Sequence, residues 1–364
     1  MIGEEIIDVK KDVPMISVIM PVYNTKQYVQ QAVDSVLNQT FKDLQLILID
    51  DCSTDGSYEL LQELYGKNER VKLLRNARNL GVWRTENRGI RNAVGKYIAF
   101  LDNDDVHLPN ALERLYNVAE SQQADVVSSF CWLQSESEDI PKNFAGKFNM
   151  ISEGTPVQQV TVISPPSDDF QIMLNLYLRG EFGFACSWNK LYSRQFIFDN
   201  GIHFPINAGD RGFTFQCVLH AKKYVKVPFP TTIYRNRIVS TSRHPPSPDA
   251  LAKTPGSMSK LAADFENIMN EFKFFRENPI YKYRVIERQL LAWNLHSTTR
   301  YYRNSQSIDP ELIKRVYEKT SEDFGEHAPF INWIFHRAHI FYQMSVELSA
   351  RVQQLEAQIK QSTT

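Results

Sequence analysis

The chain has no stretch of about eighteen apolar residues, few cysteines and no excess of charge of either sign. Each absence removes a class of function. Without such a run a membrane-spanning helix is not expected, and residues 1–14 are too charged for a signal peptide. The four cysteines in 364 residues, Cys52, Cys131, Cys186 and Cys217, are widely spaced, and three lie in apolar segments, which fits a reducing compartment and not a zinc cluster. Lys and Arg (41) balance Asp and Glu (42) to a net charge of -1 without basic blocks, so no nucleic-acid partner is expected. No G-x-G-x-x-G follows the first apolar run and no G-x-x-x-x-G-K-[ST] occurs, which argues against a nicotinamide site and a P-loop. What is present is a 43% hydrophobic, 12% aromatic chain, long enough for one large domain with an appendage, or for two. It reads as a soluble, cytoplasmic protein.

One stretch organises the rest. The apolar run Tyr97-Ile98-Ala99-Phe100-Leu101 ends in Asp102-Asn103-Asp104-Asp105, three carboxylates within four residues. Such a run reads as a buried strand of an open α/β sheet, and ligands in these sheets bind outside the carboxyl ends of the strands. Carboxylates this close repel one another unless a cation neutralises them, and Mg²⁺ or Mn²⁺ shared with a substrate diphosphate is the common solution. The plainer alternative is a strand end followed by a helix over residues 109–120 with Asp105 as its N-cap.

Strand and helix patterns alternate from residue 16 to residue 130. Strands are expected at residues 16–23, 44–51, 71–74, 97–101 and 124–130, separated by helices that include Val29, Val33, Val36 and Leu37, then residues 84–93 and 111–119. This order implies a mostly parallel sheet with helices on both faces. Right-handed crossovers then bring residues 21–24, Asp50-Asp51 and residues 102–105 to one rim.

Six segments carry a resemblance beyond this pattern. They are residues 16–24 (ISVIMPVYN), 35–40 (SVLNQT), 49–56 (IDDCSTDG), Asn79-Leu80-Gly81, Asn87-Arg88-Gly89 and Leu101-Asp102-Asn103-Asp104-Asp105. In order and spacing they resemble the family 2 glycosyltransferases of GT-A fold. The resemblance implies that Pro21, Tyr23 and Asn24 line a nucleotide pocket, with Tyr23 against the base and Asp51 accepting from a uracil imide N–H; Arg84 and Asn103 fall on the same nucleotide side. An aromatic ring and a carboxylate paired with an imide donor suit that task chemically. Asp102-Asn103-Asp104 is similar to the family's D-x-D element, with Asp104 as direct metal ligand and Asp102 on the sugar, ribose or metal. One departure stands out: many relatives have Arg just before the Asn of the Asn87-Arg88-Gly89 segment, where this chain has Glu86, with Arg84 two positions earlier.

Residues 134–166, rich in Ser, Pro and acids, read as a long loop, followed by a helix over 168–178. Residues 187–194 (SWNKLYSR) resemble the family's N-K-L-Y segment beside the acceptor, which makes Trp188 and Asn189 acceptor-sugar contacts; a Trp in such a place also serves as core. Where many relatives carry Glu-Asp, this chain has Gly209-Asp210, and the resemblance makes Asp210 the catalytic base, with N-capping of a helix over 213–221 as a compatible role. Residues 234–237 and 240–244 resemble the closing segment near the diphosphate, with His244 completing the metal shell or touching phosphate. Beyond residue 250 the pattern is helical, at 261–275 and 281–302. Ile334, Phe341, Leu348 and Leu355 then recur every seven residues. That seam fits a long helix lying on its own domain or a coiled-coil homo-oligomer; Glu347 and Glu356 oppose a basic membrane-surface helix, though peripheral association at the inner face of the membrane stays open.

The reading is a GT-A domain over residues 1–245, with a nucleotide-sugar half to 130 and an acceptor half after it, followed by a helical region at 246–364. Its implied activity is metal-dependent inverting transfer of a hexose from a UDP-sugar to a hydroxyl of a glycan or glycolipid acceptor, in the making of bacterial surface polysaccharide. A nucleotidyltransferase and a catalytically silent sugar-nucleotide-binding scaffold are the rivals; Gly209 and Glu86 keep the second one alive.

Overall fold

A computed structural model of the chain describes residues 13–135, 161–163, 170–182, 185–236 and 254–302, together with 314, 315, 318 and 322. The chain divides into two compact units, residues 1–237 and 238–364. The heptad positions 334–359 and His244 lie outside the described residues.

The first unit opens with three strand–helix pairs: β1 (Ile16–Val22), α1 (Lys26–Leu37), β2 (Leu44–Asp50), α2 (Ser57–Tyr65), β3 (Val71–Arg75) and α3 (Val82–Asn92). There follow β4 (Tyr97–Phe100), the two-residue β5 (Val106–His107), α4 (Ala111–Gln122) and β6 (Val126–Ser135). The second half carries β7 (Thr161–Ile163), α5 (Phe170–Arg179), β8 (Lys190–Ser193), α6 (Arg194–Asp199), α7 (Gly209–His220) and β9 (Tyr224–Asn236). Nine strands form one sheet in the order β3-β2-β1-β4-β8-β6-β9-β5, with β7 paired to β9.

β3, β2, β1 and β4 are parallel. Their apolar residues face both ways, as a strand covered on two sides requires. Val18, Met20, Leu46, Leu48 and Ala99 join one core with Val29, Val33 and Val36 of α1, Leu61 of α2 and Leu112 and Leu115 of α4. On the opposite face Phe100 meets Phe204 and Phe213 edge-on at 5.2 and 5.6 Å, and the last two stack at 4.1 Å. α7, buried along nearly its whole length, belongs to this second core through Phe213, Phe215, Val218 and Leu219.

α3 approaches the sheet closely because Gly89 has no side chain. A Cβ there would lie 2.3 Å from Cγ2 of Ile19 and 3.1 Å from Cδ1 of Ile49, both buried. Gly89→Ala is therefore expected to destabilise the domain by about 1–3 kcal/mol, read as a lower urea midpoint at unchanged slope.

The sheet is mixed beyond β4. β8 runs antiparallel to β4 and β6, while β6 and β9 are parallel. This reversal decides what shares the rim: the residues that precede β8 and those that end β9 come to the same edge as the ends of β1, β2 and β4. Within the stretch expected as loop, residues 161–163 form a short strand on β9.

In the second unit α8 (Thr254–Asn270), α9 (Lys273–Glu277) and α10 (Pro279–Tyr302) follow one another, in keeping with the helical pattern. Met258, Leu261, Phe265 and Met269 form the buried stripe of α8, at helix spacing. Among the described residues no helix is long and apolar enough to cross a membrane.

Candidate functional site

The rim over β1 and β2 is locked by side chain–backbone bonds. Tyr23 follows β1 directly and is 45% exposed. Asn24 adopts a left-handed φ of 51°, a conformation Asn tolerates better than most residues, and its Oδ1 accepts from the Thr54 amide at 2.8 Å. The carbonyl of Pro21 accepts from Nδ2 of Asn103 at 2.6 Å, so Asn103 ties the end of β4 to β1. Asp51 is buried, and its carboxylate is engaged: Oδ1 accepts from Asn76 Nδ2 (2.7 Å) and the Leu80 amide (2.8 Å), and Oδ2 from the Gly81 amide (2.8 Å). The Asn79-Leu80-Gly81 turn is thereby folded over the end of β2. Arg84, in the first turn of α3, is exposed and among the described residues donates to the Leu80 carbonyl at 3.4 Å.

Next along the rim lie the acids. Carboxylate oxygens of Asp102, Asp104 and Asp105 all fall within 4.8 Å of one another, the first two partly buried and the third wholly so. Asp105 does not cap a helix. β5 follows it, Asn110 stands at the N-cap of α4, and Asp105 Oδ1 accepts from the Arg235 amide at 2.8 Å. Its Oδ2 is buried without a hydrogen-bond partner among the described residues, and burial, then the charges of Asp102 and Asp104, push its carboxyl well above the usual range against the pull of Arg235. Arg235, at the end of β9, also donates from Nε to the Asp104 carbonyl at 2.8 Å and so fixes the loop. Three hard oxygen ligands around an unsatisfied buried atom suit Mg²⁺ or Mn²⁺. Sequence reasoning missed Arg235 as the clamp; the signal would have been its place beside the D-x-D loop, which only the β9 pairing reveals.

The third part of the site comes from the second half of the unit. α7 begins at Gly209, so Asp210 stands in its first turn, with Ala208 at the N-cap position. Its Oδ1 accepts from the Ser187 amide at 3.0 Å. Burial pushes this carboxyl up to about 6, opposed by the Ser187 bond and by the charges of Lys190 and Arg211. Lys190 is itself buried and held by the Cys186 carbonyl (2.6 Å) and Asn189 Oδ1 (2.7 Å). Asn189 also donates from Nδ2 to the Ser129 carbonyl at 2.8 Å, and Trp188, 7% exposed, stacks on Tyr234 with centroids 5.5 Å apart. Both side chains are thus engaged in holding β8 against β6 and β9.

Glu86 belongs to the same region. It is buried, and burial, then the charges of Asp210 and Asp102, raise its carboxyl well above the usual range. The fold therefore gathers Asp102, Asp104, Asp105, Glu86 and Asp210 along one edge. Tyr23, Asn24, Asp51 and Arg84 lie towards β2, and Trp188 and Asn189 towards β6.

Residues 17–198, half of the chain, match the family model described as glycosyl transferase family 2. Glycosyltransferase GlyG of Streptococcus pneumoniae is 28% identical over 234 residues, 63% of this chain and 73% of that one. Poly(ribitol-phosphate) beta-N-acetylglucosaminyltransferase TarP of Staphylococcus aureus is 28% identical over 325 residues, 87% of this chain and 88% of that one. Among solved structures, residues 1–349 of S. aureus TarS in complex with UDP-GlcNAc share the fold at a TM-score of 0.55 and 18% identity, over 93% of this chain and 92% of that one. The motifs, the mixed sheet and the family match agree, and the chain belongs to glycosyl transferase family 2.

Proposed function

We propose that this glycosyltransferase moves a hexose from a UDP-sugar to a hydroxyl of a glycan or glycolipid acceptor with inversion, in the synthesis of a cell-surface polymer. The observation that carries this reading is Asp210: a buried carboxyl raised to about 6, anchored by the Ser187 amide, on the same rim as the acidic cluster. A base of that strength takes a proton from a hydroxyl near neutral pH. The names of TarP and TarS's ligand, UDP-GlcNAc, support a UDP-N-acetylhexosamine as the first donor to try and a polyol-phosphate polymer as the first acceptor.

In this mechanism the exposed Tyr23 ring stacks on the base and the rim between Asn24 and Gly81 cradles the nucleoside. Trp188 and Asn189 shape the acceptor side from beneath. Asp102, Asp104 and Asp105 would hold Mn²⁺ or Mg²⁺, which would supply positive charge to offset that of the leaving diphosphate. Asp210 orients the acceptor hydroxyl and receives its proton as the oxygen bonds to the anomeric carbon; the bond to the diphosphate oxygen breaks with its electron pair leaving on UDP. One displacement inverts the centre. His244 is proposed to approach the diphosphate or metal from the closing segment.

The domain reading assigns residues 1–245 to catalysis and 246–364 to a helical region, working in the cytoplasm at the inner face of the membrane where lipid-linked acceptors are presented. Self-association through residues 334–359 is expected to show by light scattering as a mass above that of one 42.2 kDa chain, lost on truncation at Ile331.

The test of the activity is UDP release from a panel of UDP-sugars, with and without Mn²⁺ and a candidate acceptor. Release that needs both the metal and the acceptor supports transfer. Nucleotide binding without turnover on any acceptor would favour the scaffold instead.

A further inference from the structure

Two departures from the family pattern meet in space. Where many relatives carry Glu before the catalytic Asp, this chain has Gly209, and no side chain fits there. A Cβ on Gly209 would lie 2.4 Å from Cε2 and 2.5 Å from Cζ2 of Trp83, and its φ is +49°. Trp83 stands in the first turn of α3 and stacks on Phe204. Glu86 is one turn further along the same helix, in the place where many relatives carry Arg. The carboxyl missing from α7 thus has a counterpart arriving from α3.

Glu86 is held in place without being used by the fold. Its neighbour Asn87 clamps the segment between α6 and α7 in both directions, donating from Nδ2 to the Phe204 carbonyl at 2.8 Å and accepting from the Phe204 amide at 2.9 Å. Glu86 itself is 2% exposed, and its Oε2 meets no hydrogen-bond partner among the described residues. A buried acid that serves only structure is normally bonded, because leaving it unpaired is unfavourable. The charges that act on it are those of Asp210, the proposed base, and Asp102, at the donor end of the acidic cluster. The space between those two groups is where the transferred sugar must lie if the reading above holds.

We propose that Glu86 is a specificity-determining residue: from α3 its carboxyl group hydrogen-bonds a hydroxyl of the donor pyranose held between Asp102 and Asp210. The inference rests on the UDP-sugar reading and names the part of that site which reads the sugar. A site built to hydrogen-bond a hydroxyl discriminates against sugars that present it elsewhere, since the buried acid is then left unpaired. The epimeric configuration of the ring, more than the nucleotide, is what Glu86 senses.

The experiment is calorimetry on the full chain with Mn²⁺, comparing UDP with UDP-GlcNAc, UDP-GalNAc, UDP-glucose and UDP-galactose. It requires binding and no turnover. In Glu86→Ala the preferred UDP-sugar is expected to lose about tenfold or more in affinity, with the gap between epimers narrowing, while UDP alone stays within about twofold. Glu86→Gln, which keeps the shape and one donor and one acceptor, should fall between Ala and wild type. Its melting temperature should equal or exceed that of wild type, because an unpartnered buried acid is removed. Unchanged sugar-nucleotide affinities and epimer ratios in Glu86→Ala would overturn the proposal. So would an equal loss for UDP and UDP-sugars, which would place Glu86 on the diphosphate, or a collapse in the melting temperature of Glu86→Gln, which would make it structural. If wild type binds neither UDP nor any UDP-sugar, the donor reading fails; if it prefers one sugar and Glu86→Ala prefers it equally, only the role of Glu86 fails.

Discussion

Asp210→Asn is expected to bind UDP as wild type does and to lose transfer by about two to four orders of magnitude. Asn keeps the size of the side chain and an oxygen to accept from the Ser187 amide, so the first turn of α7 and the segment before β8 should stay where they are. What disappears is the atom that takes the proton. If Asp210 only anchored the first turn of α7 through the Ser187 amide, Asn would serve nearly as well and activity would remain close to wild type. The wild-type pH profile gives a second reading of the same group. Burial raises its folded pKa to about 6 from an ordinary 3.8, so the proton-accepting form is populated above that pH, and kcat/KM should climb as pH rises through about 6 and then level off. The sign for stability is opposite. A carboxyl that prefers its proton in the folded state stabilises fully below 3.8 and loses that contribution as pH rises through about 6, so Asp210→Asn should flatten this part of the stability curve. A variant with near-native turnover would move the base to another acid.

The second large effect is expected at Asp104. Asp104→Ala removes one of three carboxylates whose oxygens lie within 4.8 Å of one another, and Asp102 and Asp105 alone offer a poorer match to a small divalent ion. Transfer should fall by on the order of 10²-fold or more, the equivalent of several kcal/mol of lost charge stabilisation. Metal-dependent UDP affinity should fall with it. The fold should persist, because the Arg235 Nε bond of 2.8 Å goes to the backbone carbonyl of Asp104, which Ala keeps. EDTA should depress wild type to the level of the variant and leave the variant unchanged. Full activity in EDTA, or an active Asp104→Ala enzyme, would refute a metal role for this cluster.

How much of this was legible in the sequence follows from the physics of each element. β1, β2 and β4 were readable because a parallel strand covered on both faces must be a continuous apolar run, and no other segment of the first hundred residues has that form. β5 was not readable, since two residues carry no periodicity, and the alternative reading of Asp105 as a helix cap failed for that reason. The start of α7 was placed four residues late because Gly209-Asp210-Arg211-Gly212 looks like a turn; tertiary burial among Phe204, Trp83 and Pro205 makes it helix. The acidic cluster and Asp210 were visible as residues, whereas their union on one rim depends on the reversal of β8. The engagement of Asp51 with Leu80 and Gly81, and the packing of Trp188 on Tyr234, are products of long-range pairing that no local window contains.

The junction between β4 and β8 also bears on how new specificities could be built on this scaffold. Strands β1 to β4 join the rest of the sheet there through three residue pairs, Tyr97 with Ser193, Ile98 with Tyr192 and Ala99 with Leu191. The donor half is here the block through β4, and the acceptor half everything that follows it. A short seam of this kind invites recombination, with the acceptor half of one enzyme spliced onto the donor half of another. In this chain the cut would not be clean, because Trp83 and Asn87 reach across it to Gly209 and Phe204. A chimera that imports a Glu-Asp turn onto this α3 would drive a new side chain into the indole ring. The exchangeable cassette is therefore the acceptor half together with residues 83–87, and grafts that respect that boundary should fold where simpler ones do not.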